Sequence, residues 1–134
     1  MNSRLLMSLS AAFLGLCGVA GLFLPQETAA FLASGADQFN VLVIQILSAL
    51  YLGFAMLNWM ARGNLIGGIY SRPVAVGNFT HFAIGAITLI KLAFKTEMHF
   101  LFILIFAVVY TLFAVSFGIV FMNNPAKLKS TPNK

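Results

Sequence analysis

Four apolar runs, each about 20 residues long, narrow what this chain can fold into more than any other feature of it. They cover roughly residues 5–24, 41–60, 73–92 and 99–122. A helix rises 1.5 Å per residue, so runs of this length reach across a hydrocarbon core about 30 Å thick. Backbone amides find no water in such a core, so each run must satisfy them internally, as a helix does. Composition agrees: 60% of the 134 residues are hydrophobic, only 8% are charged, and the mean hydropathy is +0.95. A water-soluble domain uses about 25% charged residues to cover its surface. The expected fold is therefore all-α, an integral membrane antiparallel four-helix bundle. A single domain over residues 1–124 and a polar cytoplasmic tail over 125–134 complete it.

The first run, Leu5 to Leu24, is closed by Pro25. Its apolar core is longer than the 7–15 residues of a secretory signal, so it reads as a retained helix. Bulky Leu16 before Cys17 also argues against a lipoprotein signal. The connection over 25–40 carries Glu27 and Asp37 and no Lys or Arg. Thr28 to Ala33 is apolar enough for a short interfacial helix, and Asp37 is placed to cap the next span. The connection Ala61 to Arg72 is basic and holds Gly63, Gly67 and Gly68, and Pro73 suits a helical first turn. The turn Ala93 to Met98 is short, which makes the last two helices antiparallel neighbours. Asn123-Asn124-Pro125 ends the fourth.

The net charge of +5 does not indicate nucleic acid, because the eight basic residues cluster at helix ends and form no stripe. They read as topology signals that meet anionic lipid. With both termini inside, Arg4, Arg62, Arg72, Lys127, Lys129 and Lys134 are cytoplasmic, while Lys91 and Lys95 are outside. Six against two predicts both termini in the cytoplasm. The single Cys17 forms no intrachain disulfide and no cysteine metal cluster.

Every long run carries small or polar residues at steps of three and four, which share one helical face. The sets are Ser8, Ala11, Gly15 and Gly18, then Ser48, Tyr51, Ala55 and Asn58, then Asn78, His81, Gly85 and Thr88, then Ala107, Thr111, Ala114 and Gly118. Small residues let backbones approach and polar ones bond across helices, so these stripes are expected to face inward. Phe102, Phe106, Phe113 and Phe117 stand away from the last stripe and are expected to face lipid.

His81 lies roughly 12 Å into its helix, and Tyr51 and Tyr110 roughly 15 Å into theirs, with Thr111 level with them. An ionisable side chain at that depth is a functional candidate by default: a proton relay, a ligand contact or a metal ligand. The simpler reading, which we favour, is a neutral imidazole bonded to Tyr51 or a backbone carbonyl that fixes helix register. His99 is the only other histidine and lies near the outer interface. That rules out bis-histidine haem within one chain but not between subunits, and no metal site is expected. A second candidate is the basic connection, where Arg62, Asn64, Tyr70 and Arg72 sit between Asn58 and Asn78. Two guanidiniums with amide donors suit a phosphate or carboxylate. Anchoring on lipid headgroups is the simpler reading, with Trp59 and Tyr70 as interface aromatics. Asn58 and Asn78 also suit a mutual clamp across the hairpin, and Gln45 is near enough to the first connection to reach it. Enzyme chemistry has little support: no paired carboxylate, nucleophile with base or phosphate loop is present. The sequence names no cofactor.

The stretch QILSALYLGFAMLNWMARG leading into GGIYSRPVAVGN, within a four-span chain of this size, resembles DoxX-like four-helix membrane proteins. The resemblance covers mainly residues 45–78. It implies a four-helix bundle in the bacterial inner membrane, and some such proteins are linked with respiratory or thiol-redox partners. No functional motif matches residue by residue, and Cys17 lacks the second thiol of a dithiol mechanism. The expected role is a non-enzymatic accessory or scaffold subunit, working as a homodimer or within a larger membrane complex. The alternative is a binding or transport module for a small amphipathic or anionic ligand, built on His81, Tyr51 and the basic connection.

Overall fold

The structure, a computed structural model, describes residues 3–33, 36–63 and 72–122. They form five helices: α1 (Ser3–Phe23), α2 (Pro25–Ala33), α3 (Gln38–Ala61), α4 (Arg72–Ala93) and α5 (Phe100–Met122). Four of them, α1, α3, α4 and α5, are long and apolar enough to cross a membrane. The described residues contain no strand.

Local chemistry sets the helix ends. Pro25, which has no N–H to give, opens α2, and the Leu24 amide still bonds to the Ala20 carbonyl, so α2 follows α1 almost directly. The interfacial helix expected at 28–33 thus begins three residues earlier. Asp37 caps α3 as expected: its backbone is extended, and its carboxylate accepts from the Asn40 amide at 2.8 Å. At the last turn, the Met98 amide donates to Thr96 Oγ1 at 3.2 Å and His99 takes a left-handed φ of 54°. Histidine tolerates that region better than branched residues do, and it takes His99 out of the helix. Helix α5 therefore starts at Phe100, one residue later than the hydropathy suggests, with the His99 carbonyl accepting from Ile103.

The chain divides into two compact units. The unit Met7–Arg62 holds nearly all of α1 with α2 and α3. Within it, Ser10 meets Asn58, Gly15 faces Ala55, Gly18 faces Leu52 and Gly21 faces Ser48, so numbers rise along α1 as they fall along α3. A Cβ on Gly18 would lie 3.0 Å from the Ser48 carbonyl oxygen. Only a glycine lets the two backbones come this close, which is how helices gain contact where lipid gives no hydrophobic drive.

The second unit comprises Met1–Leu6 and Gly63–Lys134, and its helices α4 and α5 pack on each other. Arg72 reaches Phe121, Phe79 meets Gly118, Phe82 stacks on Phe117 and Gly85 meets Tyr110, again in opposite numerical order. Phe82 is the centre of this unit. Fully buried, it stacks on Phe113 at 4.8 Å and Phe117 at 5.8 Å between ring centroids, and it meets Tyr110 edge-on at 5.2 Å. Aromatic pairs of this geometry are each worth about 0.5–1.5 kcal/mol beyond contact area.

These contacts correct two expectations. Phe113 and Phe117 do not face lipid; Phe117 is completely buried, and both rings close over Phe82. The buried face of α4 runs through Ala75, Asn78, Phe82 and Ala86. It is rotated by about a quarter turn from the Asn78, His81, Gly85, Thr88 stripe, so His81 and Gly85 lie on its flank and Thr88 is exposed. The reason is volume: the aromatic side chains of α5 need a large partner, and Phe82 supplies it better than the small residues beside it. On α3 the expected face is kept, with Ser48, Ala55 and Asn58 buried and Tyr51 half-buried.

Candidate functional site

Helix α4 carries His81 half-buried, and α5 brings Tyr110 to it with ring centroids 5.7 Å apart. The imidazole also meets Phe82 edge-on at 5.1 Å. Tyr110 is almost completely buried, at 3% exposure, because Gly85 leaves the space its ring fills. His81 and Tyr110, which the sequence places at a similar depth, thus meet ring to ring inside one helix hairpin, together with Phe82, which the sequence reading did not single out. A signal was available: Phe82 shares a face with Ala75, Asn78 and Ala86 at steps of three and four.

The remaining polar groups are largely committed to the helices themselves. Thr111, half-buried, donates to the Ala107 carbonyl at 2.7 Å, and Thr88 donates to Ile84 at 2.9 Å. Ser48 donates to Ile44 at 2.7 Å. Asn78 is fully buried and its Nδ2 donates to the Val74 carbonyl at 2.9 Å. Asn58, equally buried, donates across the helix pair to Ser10 Oγ at 3.0 Å, and the Ser10 hydroxyl donates in turn to the Met7 carbonyl at 3.1 Å. That relay ties α3 to α1 and gives each member a partner in a medium where a bare amide is costly.

Both arginines of the basic connection lie on aromatic rings. Arg62, the C-cap of α3, places its guanidinium carbon 3.2 Å from the centroid of the Trp59 ring. Arg72, at the start of α4, places its own 5.4 Å from the centroid of Phe121. A cation over an aromatic face gains about 0.5–1 kcal/mol at an exposed site. Phe121 is next to the last residue of α5, so Arg72 also meets the negative end of that helix. Asn64 and Tyr70, the other members of the basic connection, lie outside the described residues.

Among the described residues no three His, Cys, Asp or Glu side chains stand close enough to share a metal ion. An open hollow of about 480 Å³ lies at the turn between α4 and α5, lined by Ala93, Phe94, Lys95, Thr96, Glu97 and Phe100. None of the candidate site residues lines it.

Four membrane-length apolar helices define the class: this chain has the build of an integral membrane protein. Comparison with family models, with curated proteins and with solved structures gives no match.

Proposed function

We propose that this protein is a non-enzymatic accessory or scaffold subunit of a bacterial inner membrane, an antiparallel four-helix bundle with both termini in the cytoplasm. The observation that carries this reading is how fully the helix contacts consume the polar and small side chains. Tyr110 occupies the space over Gly85, Phe79 covers Gly118, and Ser10 and Asn58 bond to each other. Groups spent this way stabilise a scaffold and leave little that is free to turn over a substrate. Arg62 on Trp59 and Arg72 on Phe121 support anchoring at the headgroup level, where basic residues and indole rings collect. The DoxX-like resemblance over residues 45–78 points to the same setting.

The contact between His81 and Tyr110 favours a second reading, a binding or transport module for a small amphipathic or anionic molecule. Such a polar pair on neighbouring spans could serve a ligand as well as fix register. Asn58, Arg62, Asn64, Tyr70, Arg72, Asn78, Tyr51 and Thr111 are its remaining candidate contacts.

One experiment separates the two. The chain is purified in mild detergent from its own membrane, and copurified proteins and small molecules are identified by mass spectrometry. A stoichiometric partner protein, retained in a His81→Ala variant, is the expected result. A lipid, quinone or other small molecule lost on His81→Ala, with no partner protein, overturns the scaffold reading in favour of the second.

A further inference from the structure

We propose that the hollow at the turn between α4 and α5 holds the headgroup of a phospholipid that carries a primary ammonium, with Lys95 on its phosphate and Glu97 on its ammonium. The inference rests on the reading that α4 and α5 span a membrane, and it adds a ligand and the residues that select it.

The turn's own bonds open the hollow. The Phe94 amide bonds back to the Ile90 carbonyl, and those of Lys95 and Thr96 to Leu92, so the chain winds on past the last residue of α4. Thr96 Oγ1 then accepts from the Met98 amide, and left-handed His99 leads the chain into α5. The space left is about 480 Å³, within the range of roughly 300–1,000 Å³ usual for small-ligand sites. Ala93, Phe94, Lys95, Thr96, Glu97 and Phe100 line it, and all six belong to the second unit.

This lining is divided by chemistry. Ala93, Phe94 and Phe100 are apolar, and Phe94 is 88% exposed. Where two spans turn at the membrane boundary, such a ring has lipid rather than water to lie against. Lys95 and Glu97 bring one charge of each sign to the same hollow, and among the described residues neither is spent in an ion pair. Glu97 is also the only acidic residue in the second unit.

That pair of charges selects the headgroup. A purely anionic headgroup would gain from Lys95 and be repelled by Glu97, and a lone amine would meet the reverse. A phosphate and an ammonium on one molecule satisfy both. A primary ammonium donates N–H bonds to a carboxylate, whereas a quaternary one has none to donate. Because the hollow is open, the acyl chains can stay in the bilayer while the headgroup enters.

The test uses the full chain in mild detergent, with bound lipid counted by native mass spectrometry. Phosphatidylethanolamine, phosphatidylglycerol and phosphatidylcholine of one acyl composition are offered in turn. The wild-type chain should retain phosphatidylethanolamine above the other two. Glu97→Gln and Lys95→Ala should each weaken that retention about tenfold, the loss of one charge-assisted bond. Lys91→Ala, exposed and outside the hollow, should leave it unchanged. Equal retention of the three lipids overturns the proposal, as does equal loss in all three variants or none in any. Preference for phosphatidylglycerol would mean plain attraction to anionic lipid and overturns it too, as would displacement of the lipid by free phosphoethanolamine at equal concentration. A chain that alkaline carbonate releases from its membrane overturns the membrane reading itself.

Discussion

Gly85 leaves no room for a side chain, because the Tyr110 ring stands where its Cβ would be, with Cδ1 at 2.5 Å. That ring has little freedom to give way: it is buried and held by contacts with Phe82 and His81. Gly85→Ala should therefore destabilise the α4 and α5 pair by about 1–3 kcal/mol, the usual cost of overpacking. Gly15→Ala meets only the Ala55 Cβ at 3.7 Å, an ordinary contact, and gains helix propensity of about 1 kcal/mol. Thermal unfolding in mild detergent should show Gly85→Ala several degrees below the wild-type chain and Gly15→Ala at or above it. The reverse order would mean that Tyr110 does not sit over Gly85. At this scale the sequence was legible where a residue is chemically unlike its neighbours. Asp37, Tyr110 and His81 stand out in an apolar chain, whereas Phe82 and Phe117 do not. In water an aromatic face signals the interior; beside lipid both sides of a helix are apolar, so the same ring gives no sign of direction.

Helix existence and length were legible because each span must cross a fixed thickness, and the four long helices end within a few residues of where hydropathy ends. The face each helix buries was harder to read. On α3 the stripe through Ser48, Ala55 and Asn58 holds, since the neighbouring α1 offers glycines and Ser10. On α4 a stripe chosen for small residues misses the buried face by about a quarter turn, because the partner helix offers bulk and takes Phe82. Which stripe wins depends on the facing helix, and a single helix does not record it. The entry to α3 is a local matter and is testable as such. Asp37 accepts from the Asn40 amide, and removing a cap of this kind costs about 1 kcal/mol. Asp37→Ala should speed hydrogen exchange of the first-turn amides, Asn40 above all, by about fivefold, while Asp37→Asn keeps most of the protection. Equal exchange in all three chains would mean that the cap contributes nothing to α3.

At the scale of the whole molecule the open matter is which way the chain crosses, and charge at the helix ends decides it. Arg62 ends α3 and Arg72 begins α4, with only nine residues between them, too few to cross the bilayer again. The expectation is that both guanidiniums belong to one membrane face. The contact of Arg72 with Phe121 brings the end of α5 to that face too, and Lys127, Lys129 and Lys134 follow it in sequence. The opposite end of the α4 and α5 hairpin holds Lys91 and Lys95. Short basic segments are retained on the cytoplasmic side, so the face with Arg62 and Arg72 should be cytoplasmic and the connection over 25–40 outside. Single cysteines on a Cys17→Ala background make this measurable with a membrane-impermeant maleimide. Glu27→Cys, exposed on α2, should label in intact cells, and Gly63→Cys, exposed just after α3, only once the membrane is opened. The opposite pattern would invert the molecule and with it the side on which any partner meets Arg62 and Arg72. Labelling of both in intact cells would mean that the segment between them does not cross the membrane at all.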